Sequence, residues 1–242
     1  MPSNKILDEL ITAHGGRNRW QSVETIEASF SSGGLAFTAH MQPSALRALR
    51  ISVAPHAPRV VLHDFCHHDW RGIWTPNHVE IRDDKDKLVL QRSAPREQFN
   101  RLPKLIRWDR LDILYFAGYA LWNYLSFPFI LDYPGVSVTE LPAATPGDAD
   151  RLLATFDSAI ATHSATQVFH VDSARRLLRH DYTADVIGRL ATAANLCLSS
   201  EQVTGLRFYT RRKVFPRFGH GLVMPVPTLV WIEIDDIRVT MA

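Results

Sequence analysis

Three groups of residues in this sequence have the side chains that chemistry needs. The densest is His63-Asp64-Phe65-Cys66-His67-His68-Asp69. Metals want His, Cys and carboxylate groups converging on one point. If a strand runs through the segment, alternation puts His63 and His67 on one face, and His40 could join them from a neighbouring strand. Adjacent His67 and His68 would then point apart, and no H-E-x-x-H or similar spacing is present. The segment reads as a solvated loop with incidental histidines, with structural hydrogen bonding and metal ligation as alternatives. No metal is expected.

The second group comes from strand parity. In Leu177 to Thr183 the parity that holds Leu178 also carries His180 and Tyr182. In Val203 to Val214 the apolar parity of Leu206, Phe208 and Val214 brings Thr210 and Arg212 with it. Phe169 with Val171, and Val230 with Ile232 and Ile234, mark two further apolar faces. If these faces share a cavity, His180, Tyr182, Thr210 and Arg212 converge there. A histidine beside a phenol can exchange protons near neutral pH. A guanidinium can orient a carboxylate, phosphate or enolate oxygen. The plainer alternative is that His180 and Tyr182 satisfy each other in a core. Asp181, on the opposite parity, is expected to pair with Arg179 or Arg211. His163, at a strand entrance, is expected at the cavity rim. The third group, Arg211-Arg212-Lys213, is a basic run that reads as a solvated edge rather than a phosphate track. No G-x-S-x-G, G-x-G-x-x-G or G-x-x-x-x-G-K-[ST] pattern occurs, so neither a hydrolase elbow nor a nucleotide cofactor is expected.

The elements that would position these groups are mostly strands. Ser3 is placed to cap a short helix from about Asn4 to Ala13, stopped by Gly15-Gly16. Strand signals follow at Val23–Ser31 and Leu35–His40 (with Gly33-Gly34 read as a hairpin turn), Ala45–Val53, Arg59–Phe65, Trp70–Ile81 and Lys87–Gln91. Asp109 and Asp112 resemble a capping box for a helix from Arg110 to Phe127 that Pro128 stops. No charge occurs between Ile113 and Leu131, a span close to the ~20 apolar residues of a membrane crossing. Gly118, Asn123, Ser126 and three tyrosines interrupt it, so the helix is expected inside protein. Strands resume at Val136–Leu141, Arg151–Phe156, Gln167–Val171, Leu177–Thr183, Leu190–Leu198, Val203–Val214 and Leu229–Val239, with Pro142 to Asp150 as a polar loop. The expectation is one mainly β (α+β) domain over residues 1–242. Its form would be a single curved antiparallel half-barrel of about eleven strands, with the long apolar helix on or in the concave face and a short N-terminal helix. A cavity between sheet and helix would be lined by Tyr115, Tyr119, Trp122, Phe169, Leu178, Phe208, Thr210, Ile232 and His163.

Composition narrows the classes. The 242 residues are 46% hydrophobic and 21% charged, the profile of an ordinary globular chain rather than a disordered one. Lys+Arg 27 against Asp+Glu 25 gives +2, which argues against a nucleic-acid partner. The N-terminal segment lacks an apolar stretch and carries Asp8 and Glu9, so a cytoplasmic location is expected. Cys66 and Cys197 lack C-x-x-C spacing and are expected as reduced thiols.

Ala13-His14-Gly15-Gly16 with Trp20, His180-Asp181-Tyr182-Thr183-Ala184-Asp185-Val186, Thr210-Arg211-Arg212-Lys213-Val214 and Leu229-Val230-Trp231-Ile232-Glu233-Ile234 look like runs shared by a group of bacterial proteins of this size. That group resembles the half-barrel superfamily of lipoprotein-localisation factors (LolA/LolB-like). The resemblance implies a curved antiparallel sheet, helices on its concave side and an apolar ligand cavity. The chain departs from the exported carriers in having neither their signal peptide nor their lipobox cysteine. Three functions are then in play. The first is binding of a hydrophobic small molecule or acyl chain. The second is cofactor-independent acid–base catalysis by His180, Tyr182 and Arg212 (isomerisation, cyclisation, elimination or hydrolysis of an apolar substrate). The third is docking on a membrane surface through Tyr115 to Phe129.

Overall fold

The computed structural model describes residues 4–141 and 149–242. Its body is a 14-stranded antiparallel sheet, open at both edges. Six strands build one wing: β1 (Val23–Gly33), β2 (Leu49–Ala54), β3 (Arg59–His63), β4 (Arg71–Thr75), β5 (His78–Arg82) and β6 (Leu88–Ser93). The other wing is β7 (Val136–Leu141), β8 (Asp150–Phe156), β9 (Thr166–Val171), β10 (Leu177–Thr183), β11 (Thr192–Val203) and β12 (Leu206–Phe218), with the short β13 (Leu222–Val223) paired to the end of β12. The last strand, β14 (Val230–Met241), lies between β1 and β12 and joins the wings. A sheet of this width curls. The concave face is occupied by α4 (Arg110–Leu125), in which every residue from Leu111 to Leu125 is buried.

Local chemistry accounts for α4. The Asp109 side chain accepts from the N–H groups of Leu111 and Asp112, and the Asp112 carboxylate accepts from Asp109 N–H at 2.8 Å. That reciprocal capping box satisfies the first-turn donors. Asp112 is fully buried, held by Arg92 at 2.7 Å and by Lys104. The helix ends at Leu125, two residues before the expected Phe127, and a 3-10 turn follows at Phe129–Asp132. Among the described residues no helix is long and apolar enough to cross a membrane. The apolar run is instead enclosed by the two wings, so its Tyr115 to Phe129 face is not free to dock on lipid.

Several local expectations are corrected. Leu35–His40 is not a strand: Leu35–Ala39 forms the short helix α3, and Gly33 belongs to β1. Gly33-Gly34 is a site of close approach rather than a hairpin turn. A Cβ at Gly34 would lie 2.5 Å from the Leu229 carbonyl oxygen. The backbone there donates instead from Leu35 to Thr228 and from Ala36 to Leu229. Trp70–Ile81 is two strands, β4 and β5, because Pro76-Asn77 turns the chain between them. Strand β2 begins at Leu49 rather than Ala45, after Ala48 takes a positive φ of 51°. With one of the thirteen candidate segments lost, one split in two and the unexpected short β13 added, the sheet has fourteen strands rather than about eleven.

At the N-terminus Asn4 is the cap of α1 (Lys5–Ala13), accepting from Leu7 N–H at 3.0 Å. Ser3 lies outside the described residues, as does most of the Pro142–Asp150 segment. Helix α1 runs from the β7 edge to the β11–β12 turn. Ile6 N–H donates to Glu140 at one end, and Arg207 N–H donates to the His14 carbonyl at the other. The chain then turns into α2 (Arg17–Gln21), whose Trp20 stacks on Phe129 with ring centres 4.4 Å apart.

Candidate functional site

The inner face of β9 to β12 carries polar side chains that look at α4. They are Gln167 on β9, His180 and Tyr182 on β10, Asn195 and Cys197 on β11, and Thr210 and Arg212 on β12. Register brings them together. His180 is directly opposite Asn195, and Cys197 is opposite Arg212, whose other neighbour is Ile232 of β14. From the helix side come Tyr119, Asn123 and Tyr124, and from the segment before β9 come Thr162 and His163.

Hydrogen bonds order most of this cluster. Tyr124 Oη lies 2.9 Å from His163 Nε2 and 3.3 Å from the Tyr182 hydroxyl. His163 stacks on Tyr182 at 3.9 Å. His180 Nε2 is 2.5 Å from Gln167 Oε1, and its ring lies flat on Phe169 at 4.2 Å. Gln167 Nε2 donates to Thr162 Oγ1 at 2.6 Å, and Thr162 Oγ1 donates to Asn123 Oδ1 at 2.7 Å.

Arg212 stands apart from this order. It is 1% exposed, yet among the described residues its one hydrogen bond runs from Nη1 to the Cys197 sulfur at 3.2 Å. Its guanidinium carbon sits 4.5 Å from the Tyr124 ring centre and 5.3 Å from that of Tyr209. Among the described residues Nε and Nη2 have no hydrogen-bond partner, and the Asn195 amide, which lies near the Tyr124 hydroxyl, forms no well-aligned hydrogen bond.

The neighbours of Arg212 are neutral near pH 7. Burial pushes His163 down to about 3, helped by the positive charges of Arg96 and Arg212. Burial also holds His180 well below its ordinary value, with His163, Arg212 and His170 adding to the effect. The Tyr124, Tyr182 and Cys197 protons are held more tightly than usual, again chiefly by burial.

An apolar pocket reaches this cluster from outside. A cavity of about 310 Å³ lies between α3, Phe116 of α4, the β10–β11 connection and the inner faces of β12 and β14. A recess of about 30 Å³ continues inward along Ala120, Ile232 and Tyr124. Phe116, Tyr182, Val214 and Val230 line both. The rim holds exposed apolar side chains, Leu190 at 95% and Phe218 at 59%. A wider cleft of about 580 Å³ by Arg92 and Lys104 lies on the outside, and those two cations are committed to Asp109 and Asp112.

The sequence-named residues fall into four places. Tyr182 and Ile232 line the pocket, while His163, His180 and Arg212 are buried behind its inner end. Phe169, Phe208 and Tyr119 are core around the same cluster, Thr210 bonds Ser199 at 2.9 Å, and Tyr115 packs on Phe99. Trp122 faces the opposite wing, donating to the Pro55 carbonyl at 3.2 Å. Leu178 is exposed on the convex face. An irregularity between Leu177 and Arg179 breaks the alternation, so Leu177 turns inward in its place. Asp181 pairs with Arg179 rather than Arg211, which faces Glu233. Arg212 is no part of a solvated edge, since alternation turns it inward between exposed Arg211 and Lys213.

In the histidine-rich segment, His63 bonds Ser52 at 2.8 Å, His67 packs on Trp70, and His68 pairs with Asp69 on the surface. Asp64, His68 and Asp69 lie close enough to share a cation, but two of the three are exposed and the Asp64 carboxylate already holds Arg50 and the Asp69 N–H. Both cysteines are free thiols.

Sequence reading missed Asn123, Tyr124, Thr162, Gln167, Asn195 and Cys197. In β11 the hydrophobic alternation belongs to Leu196 and Leu198, which marks the wrong face as inner, because Leu198 is exposed and Asn195 is fully buried.

No family model matches the sequence, and no curated protein matches it either. Solved structures do match. A LolA superfamily protein from Nitrosomonas europaea aligns with a TM-score of 0.53 at 10% identity, covering 100% of this chain and 95% of that one. A DUF1329 family protein from Desulfovibrio piger aligns with a TM-score of 0.53 at 10% identity, covering 98% of this chain and 93% of that one. At that identity the likeness concerns backbone, and it extends over the whole curved sheet and the helix inside it: the chain has the LolA-like half-barrel fold.

Proposed function

We propose that this protein binds a hydrophobic small molecule or acyl chain in the pocket between α4 and the inner faces of β12 and β14. The observation that carries the reading is a largely apolar passage from an exposed rim at Leu190 and Phe218 to the recess beside Tyr124. Pockets lined by apolar side chains with a few placed polar groups are the usual form of a small-molecule site. The LolA-like fold is consistent with such a role.

Native mass spectrometry of purified protein, with organic extraction of whatever accompanies it, tests the reading. A bound apolar species, or saturable uptake of a fluorescent fatty-acid probe blocked by Val214→Trp, is expected. Protein that arrives empty and takes up no such probe overturns it.

A further inference from the structure

The pocket ends beside the one group in the cluster whose charge is left unmatched. Among the described residues no carboxylate lies within ion-pair distance of Arg212, and its Nε and Nη2 have no hydrogen-bond partner. A buried cation without a counter-charge is costly, and proteins pair or hydrogen-bond such groups. Among the described residues, the groups that touch Arg212 or pair with it across the sheet are uncharged near neutral pH: Tyr124, Tyr209, Cys197 and Ile232. Asn195 lies on the same inner face, directly opposite the pocket-lining Val214 and diagonal to Arg212, and its amide has no well-formed hydrogen bond, only the Tyr124 hydroxyl nearby.

Geometry joins this pair to the pocket. Ile232 lines the inner recess and is the direct cross-strand neighbour of Arg212. Tyr124 lines the same recess and carries the guanidinium on its ring. Along β12 the inward positions run Pro216, Val214, Arg212, from the wide pocket past the wall it shares with the recess to the buried charge.

Resting on the reading above, we infer that the ligand is an amphipathic organic acid whose single carboxylate is held by Arg212 and Asn195 at the inner end. Its apolar body lies outward along Phe116, Val214 and Val230. The planar guanidinium fork matches two carboxylate oxygens. One positive charge matches one negative charge. A recess of about 30 Å³ suits a small planar head better than a tetrahedral phosphate with its own hydration.

The test uses the full chain, stripped of bound lipid on a hydrophobic resin, and calorimetric titration with dodecanoic acid, methyl dodecanoate, dodecanol and dodecyl phosphate at pH 7.5. Dodecanoic acid is expected to bind roughly 10- to 100-fold more tightly than the ester or the alcohol, the worth of one charge-assisted pair. Arg212→Gln should erase that preference while leaving alcohol affinity within about threefold, and Asn195→Leu should lower acid affinity several-fold. The wild-type comparison decides the matter even if one variant fails to fold. Equal binding of acid, ester and alcohol overturns the anion claim and leaves the apolar-ligand reading standing. Tighter binding of dodecyl phosphate than of the acid overturns the carboxylate assignment. If none of the four binds, the inference falls together with the reading on which it rests.

Discussion

One helix is held by two walls built on opposite principles. Against β2 to β5, α4 meets Val53, Val60, Leu62, Trp74, Val79 and Ile81, all fully buried and all apolar except for the Trp74 indole nitrogen. That wall fits by volume: a Cβ at Gly118 would lie 2.2 Å from Trp74 Cγ, so helix and strand approach as closely as glycine allows. Against β9 to β12, the same helix meets Gln167, His180, Tyr182, Asn195 and Arg212, and the fit is made by hydrogen bonds that leave several donors unused. A close-packed wall has no slack for a guest. A polar wall with idle donors does, which is why the pocket opens on that side. The first wall seats the helix, and the second offers it company.

The largest effect that would break this contrast is expected on the seating wall. Trp74→Ala removes a fully buried indole with no access for water and should cost about 3–5 kcal/mol by chemical denaturation. A loss below about 1 kcal/mol would mean that the wall is not close-packed.

The opposite sign is expected across the helix. Arg212→Met replaces an unpaired buried cation with an apolar chain of similar length, and the ligand-free protein should gain on the order of 1–4 kcal/mol. Destabilisation by that variant would show that Arg212 already has adequate partners.

Acid sharpens the same comparison. Burial holds His163 down to about 3 and His14 down to about 4, against 6.5 for a free imidazole. The unfolded chain therefore takes up protons first, so stability is full above pH 6.5 and falls as the pH drops toward 4. The slope is about 1.4 kcal/mol per pH unit for each histidine. His163→Gln should flatten the dependence, measured by urea unfolding between pH 7 and 4.5. An unchanged slope would place the proton elsewhere.

The smallest expected effect is at the helix cap, shared by both walls. Asp109→Ala removes the acceptor for two N–H groups of α4 and should cost about 1 kcal/mol, read as a shift in the urea midpoint.

How much of this was visible beforehand follows from which signals are local. The start of α4 was legible because Asp109, Asp112 and Pro128 act within a turn of their own positions. The inward parity of Arg212 was legible because β12 alternates from Thr210 to Val214, with exposed Arg211 and Lys213 on either side of it. Helix α3 was not, because Gly34 is shaped by the distant carbonyl of Leu229 rather than by its neighbours. Leu178 misled because one irregular step in β10 reverses every face before it. Asn195 was hidden by the leucines of its own strand, and Gln167 became a partner only when the fold set it against His180.

The order of strands also has a consequence for assembly. Each wing is a run of sequence neighbours, β1 to β6 and β7 to β12, so each can zip up by short hairpin steps. As paired strands the two runs are joined, among the described residues, only through β14, which follows every strand it pairs with. Until that strand arrives, the half-shells are bridged by α4, by α1 against β7 and β12 and by Arg96 against Thr162, and the greasy surface of α4 is the template on which both must settle. A chain stalled before Val230 would present that template uncovered on one side, which makes the final strand the latch against self-association.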